Sequence, residues 1–150
     1  MKQPIKLVVI AMAAALTLGG GATAQTAARV YESGPVWGIS YVETKPGMFD
    51  DYMAYIGSTW RSIQEAQKRA GDVLDYRVLA IAAPRDHEPN VILMVQYKNM
   101  GVFDRSLDEQ DKVTASAFGS MVKSNQAQIS REAMRETRGE QLARELEFKK

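Results

Sequence analysis

Val36-Trp-Gly-Ile-Ser-Tyr-Val42 decides the fold class. Trp37, Ile39 and Tyr41 fall on one face of this stretch, and Val36, Gly38, Ser40 and Val42 on the other. A period of two is a β-strand, and apolar character on both faces marks one that is largely covered. Lys45-Pro-Gly47 ends the strand and opens a helix, since proline is tolerated in a first helical turn. Beyond it, Phe49, Met53, Ile56, Trp60 and Ile63 recur in steps of four and three, followed by Ala70, and so form one helical face. Asp50 and Asp51 lie near the positive end of that helix, Lys68 and Arg69 near the negative end, and Gly71 supplies its stop.

The rest of the chain completes the pattern. Val73–Ile81 reads as a second strand, residues 83–90 as a polar loop, and the nearly all-apolar Val91–Tyr97 as a third, central strand. Asn99 caps a second helical region beginning near Met100. Its expected buried side is Phe103, Leu107, Val113, Phe118, Met121, Val122, Ile129 and Met134, with a break near Asp108 or Gly119. The alternating charges of Ser130–Arg138 read as a solvated helix face. Leu142, Leu146 and Phe148 then share a period of two, so a closing strand is expected, wet on the side of Glu145 and Glu147. The order βαββαβ is α+β, with two helical regions on one face of an antiparallel sheet. The other face carries large apolar side chains and calls for a partner, most simply a second copy.

At the start of the chain, Lys2 and Lys6 precede the uncharged run Leu7–Leu18, then Gly19-Gly-Gly21 and Ala22-Thr-Ala24. This is the order of a signal peptide, a basic segment, a short apolar segment and a small-residue cleavage site, so cleavage is expected after Ala24. Residues 7–24 give eighteen uncharged positions, near the lower limit for an uncleaved span, but glycine and alanine dominate their second half. No cysteine is present to carry a lipid. The expected product is periplasmic or secreted, without a stable membrane anchor after cleavage. Residues 25–35 read as a leader that docks at most through Val30 and Tyr31, and residues 36–150 as the folded domain.

Composition narrows the chemistry. The 150 residues are 45% apolar and 25% charged, the make-up of one globular domain. With 19 basic and 18 acidic residues, and no basic patch interleaved with aromatics, nothing points to nucleic acid. The absence of cysteine and the single histidine, His87, exclude thiolate nucleophiles and multi-histidine metal sites within one chain. No phosphate-binding glycine loop, nucleophile elbow or calcium loop is present, and no metal is expected.

Residues 36–105 resemble the dimeric α/β-barrel superfamily, which includes antibiotic-biosynthesis-type monooxygenases, haem-degrading enzymes and stress-responsive proteins. The resemblance is carried by Val36–Val42, Lys45-Pro-Gly47, Trp60-Arg-Ser-Ile63, Gly71-Asp-Val-Leu-Asp-Tyr76, Val91–Lys98 and Phe103-Asp104. It implies a ferredoxin-like subunit, two sheets packed face to face as a homodimer, and a pocket between each sheet and its helices. Haem-degrading relatives use a histidine on the second helical region, where this chain has none. No cofactor is implied.

The residues expected around such a pocket are Trp37, Ser40, Tyr41, Trp60, Tyr76, Arg77, His87 and Gln96. The aromatics, with Tyr97, would give it an apolar wall, although Trp60 also fits ordinary helix packing. Ser40 and Gln96 would be polar anchors. Arg77, which with Asp75 is read on the same strand face as Val73 and Leu79, would orient an anion unless the pair simply guards an edge strand. His87 lies in Pro84-Arg-Asp-His-Glu-Pro89 and reads first as a solvated loop residue. The preferred function is binding of a small apolar or aromatic ligand without a defined catalytic constellation. The alternatives are a cofactor-independent monooxygenase acting on an aromatic substrate, implied by the resemblance, and a purely structural assembly subunit.

Overall fold

The period-two stretch at Val36 is the middle of a longer strand, β1 (Tyr31–Thr44), in a computed structural model that describes residues 28–150. The expected signal segment and its cleavage point lie outside the described residues. After β1 come α1 (Phe49–Tyr55), a π-helical turn (Ile56–Trp60) and α2 (Arg61–Arg69), which together make one continuous helix. β2 (Val73–Ala80), β3 (Val91–Tyr97) and a short 3-10 turn (Met100–Phe103) follow. The chain ends with α3 (Leu107–Phe118), α4 (Met121–Met134) and β4 (Arg135–Phe148).

The strands form one antiparallel sheet in the order β2-β3-β1-β4. β1 and β3 are central, as their apolar character on both faces requires, and β2 and β4 are edges. This is the α+β, ferredoxin-like arrangement. Val42, Tyr52, Ile56, Val91 and Leu93 form the core between the central strands and the first helix, with Met134 packed against it.

Several expectations need correction. The leader does not extend to residue 35: the strand begins at Tyr31 because β4 supplies a partner, with Tyr31 opposite Phe148 and Ser33 opposite Leu146. β4 in turn begins at Arg135, so Arg135–Thr137, read as the end of a helix, pair with Thr44–Val42, and Arg138 is the extra residue of a bulge. On the first helix, Phe49 is exposed and Tyr52 is fully buried, with the Arg135 guanidinium over its ring at 5.8 Å.

The π turn explains the altered stripe. Tyr52, Ile56, Trp60 and Gln64 are spaced by four, and in a regular helix the last would lie about 120° round the axis from the first. One residue absorbed by the wider turn reduces that to about 20°. Ser58 Oγ donates to the Ala54 carbonyl at 2.7 Å within this turn.

The second helical region breaks at Gly119, one of the two places expected, with φ +81°. It lies on the same side of the sheet as α1 and α2 but flanks them more than it covers β4. Leu107, Val113, Met121, Val122 and Ile129, expected to be buried, are exposed, because α3 and α4 pack as a hairpin with nothing outside them among the described residues, and Phe103 before them is exposed as well. The helix-side surface of β1 and β4 is therefore left partly open.

Candidate functional site

That gap is a cleft of about 430 Å³. Its floor is the helix-side face of the central strands, with Gly38 and Ser40 of β1 and Leu93, Val95 and Tyr97 of β3. Trp60 and Gln64 enter from the helix, Phe103 from the 3-10 turn, and Glu140 and Leu142 from β4. Tyr97 and Phe103 meet edge to face, with ring centroids 4.8 Å apart. Gly38 is small for a reason. A Cβ placed there would come within 3.0 Å of Tyr97 Cε2, so the absent side chain makes room for the ring.

Ser40, Gln64, Glu140 and Gln141 set polar groups among the aromatic and aliphatic walls of the cleft. Gln64 is 6% exposed, and its Oε1 has no hydrogen-bond partner among the described residues. Burial raises the Tyr97 phenol above its ordinary pKa, since phenolate is disfavoured away from water. Among the described residues, no group of three or more potential metal-ligating side chains is close enough to hold an ion.

The expected site residues do not form one pocket, because alternation sends them to opposite sheet faces. Ser40 and Trp60 line the cleft. Tyr76 lies behind Trp60, its ring perpendicular at 5.4 Å, and donates to Glu65 Oε1 at 2.5 Å. That carboxylate, more than burial, pushes its phenol pKa up. Trp37, Tyr41, Arg77 and Gln96 stand on the other, helix-free face. There Trp37 Nε1 and Gln96 Nε2 donate to Glu145 Oε2 at 2.8 and 3.1 Å, and Arg77 lies 5.7 Å from the Trp37 ring centre. Tyr41 donates to Gln141 Oε1 at 3.3 Å.

Asp75 and Arg77 do not share a face with Val73. A bulge between Val73 and Asp75 puts Val73 opposite Tyr97, on the helix side, and Asp75 opposite Gln96. β2 is an edge strand, as the alternative reading of this pair required. His87 does not line the cleft. It stays in the exposed loop, with φ +61°, and accepts from Arg138 Nη2 at 3.3 Å.

Gln64 was not anticipated. A glutamine four residues after Trp60, on the stripe set by Tyr52 and Ile56, was the available sign, but it shows only once the π turn is known. Glu140 was hidden by the unexpected length of β4.

No protein-family model matches the sequence, and no curated protein matches it. Among solved structures, protein SO0527 from Shewanella oneidensis is similar with a TM-score of 0.50 at 12% identity, over 78% of this chain and 98% of that one. A dimeric ferredoxin-like protein from an uncultured marine organism is similar with a TM-score of 0.47 at 6% identity, over 79% and 91% of the two chains. The first likeness extends across the ferredoxin-like domain. At that identity it speaks for the fold alone.

Proposed function

We propose that the protein is exported, is cleaved after Ala24, and binds a small apolar or aromatic ligand in the cleft between sheet and helices. The observation that carries this reading is the cleft itself, aromatic-walled by Trp60, Tyr97 and Phe103 and lined by Ser40, Gln64 and Glu140 as polar groups. Concave, largely apolar surfaces with a few placed polar groups are what small-molecule sites look like. Export rests on the residues up to Ala24 and their order.

The same reading makes the protein a homodimer through the helix-free sheet face, as in the dimeric α/β-barrel superfamily that the sequence resembles. Ile39, Met94 and Ile92 stand at the centre of that face with Leu79 at its β2 edge. Arg77, paired with Asp75 at 3.5 Å, and Glu145, bonded to Trp37 and Gln96, place charges of both signs on the same face.

Native mass spectrometry of protein isolated gently from the periplasm tests all three parts. The expected species is a dimer of residues 25–150 with a small retained adduct. A bare monomer whose melting temperature no aromatic compound shifts would contradict the reading.

A further inference from the structure

β4 closes the sheet with an open edge. Among the described residues nothing pairs with its outer backbone, and every residue from Gln141 to Phe148 is exposed. An unpaired row of N–H and C=O groups is a template for a further strand unless side chains forbid one, and charge is the usual guard. Most charges of β4 are engaged within the subunit. Arg135 and Arg138 have carboxylate partners, and Glu145 accepts from Trp37 and Gln96. Glu140 and Arg144 make no ion pair or side-chain hydrogen bond among the described residues, and their β1 neighbours are Ser40 and Val36. They stand on the helix side of the strand, on either side of Leu142, which is 55% exposed. From Gly139 to Arg144 the pairing with β1 runs one to one, so this stretch of edge is regular.

The signs decide what such an edge fits. When two copies pair antiparallel about a two-fold axis, the residue on the axis fixes every other pair. With Leu142 there, Glu140 faces Arg144 of the second copy, and the pair occurs twice. Axes at Glu140 or Arg144 set like charges opposite each other. Axes at Gln141 or Ala143 set Leu142 opposite Glu140 or Arg144, respectively. We infer that β4 is a self-association edge, pairing antiparallel with β4 of a second copy about Leu142. The sheet then continues across the axis, with both clefts on one side of it. Arg144 of the second copy comes to lie beside Glu140, at the uncovered flank of each cleft. This contact is separate from the helix-free face and does not rest on the reading of that face. One short edge buries little surface, so it joins copies only as concentration rises.

Sedimentation velocity of the purified protein, from micromolar to millimolar concentration, is the test. The expected result is a species whose mass doubles toward the upper end, less readily as salt is added. Arg144→Glu sets carboxylates opposite each other on both sides of the axis and should weaken the doubling about tenfold. Exchanging the two charges, Glu140→Arg with Arg144→Glu, should restore it, which a merely damaged fold would not allow. A mass that stays constant over the range overturns the inference, and so does Arg144→Glu doubling like the wild type. An exchanged protein that keeps the wild-type melting temperature but does not double overturns it as well. Should the helix-free face fail to pair, the smallest species is a monomer instead of a dimer, and its doubling is read in the same way.

Discussion

Asp72 is 6% exposed, at the entry to β2, and is held by the Arg105 guanidinium and by Lys98 Nζ at 3.6 Å. It ties the start of β2 and the end of β3 to the segment that leads into α3. Arg105→Met should cost about 1–3 kcal/mol in urea unfolding, because it leaves a mostly buried carboxylate with one distant cation. Tyr97 and Tyr52 matter at the alkaline end. Burial is the main cause that raises both phenols, with the Arg135 guanidinium opposing it at Tyr52. Their contribution to stability is complete below the ordinary phenol value of about 10 and is lost as pH rises beyond it toward the folded value. Between about pH 8 and about pH 10.5 the wild type should therefore lose more stability than Tyr97→Phe. Equal losses would show that Tyr97 ionises as freely in the fold as outside it. At this scale the sequence was only partly legible. Ser40 and Trp60 border the cleft, but the faces of Trp37 and Gln96 depend on which side the helices take, which alternation alone does not say.

α3 has no buried residue, so its caps weigh more than its packing. Ser106 Oγ accepts from the Glu109 amide, and the Glu109 carboxylate accepts from the Ser106 amide at 3.1 Å. The Ser106 hydroxyl donates to the same carboxylate at 3.0 Å and, with the Ser106 amide, holds the Glu109 carboxyl below its ordinary range, so the cap's ionic part is present above that range and is lost as pH falls. Ser106→Ala should speed amide exchange in the first turns of α3 about fivefold, equivalent to ~1 kcal/mol. Gly57, in the π turn, has open space where a Cβ would stand. Gly57→Ala should stabilise the protein by about 0.5–1 kcal/mol in thermal unfolding, and a loss would mean the turn needs glycine's freedom. The element order and β3's bounds were readable from periodicity and turn residues. The π turn and the β2 bulge were not, since each inserts one residue without a local signature and shifts every later side chain. The extra length of β4 was hidden because Arg135–Arg138 are charged in either helix or strand.

For the whole molecule, the sheet divides two surfaces with different work. The helix-free face, centred on Ile39, Ile92 and Met94, is read as a contact between copies of the chain. Met94→Glu, at the middle of β3, should turn a dimer into a monomer in light scattering while leaving the fold intact. A wild type that is already monomeric would contradict that assignment. The helix side holds the cleft, and its opening follows from a hairpin of α3 and α4 that stands beside the first helix and leaves β4 uncovered. Fold class was visible in the βαββαβ order and the apolar character of β1 and β3. A pocket between sheet and helices was implied by the resemblance, but its place beside β4 was not legible, because it arises from where the second helical region fails to pack.

The most direct test of the account is an amide and indole chemical-shift titration with 2-naphthol. The account predicts perturbations centred on Gly38, Ser40, the Trp60 indole, Gln64 and Leu142, with Trp37 and Met94 unmoved. Perturbations centred instead on the Trp37 indole, Met94 and Gln96 would place the ligand on the opposite sheet face and contradict the cleft as the binding site.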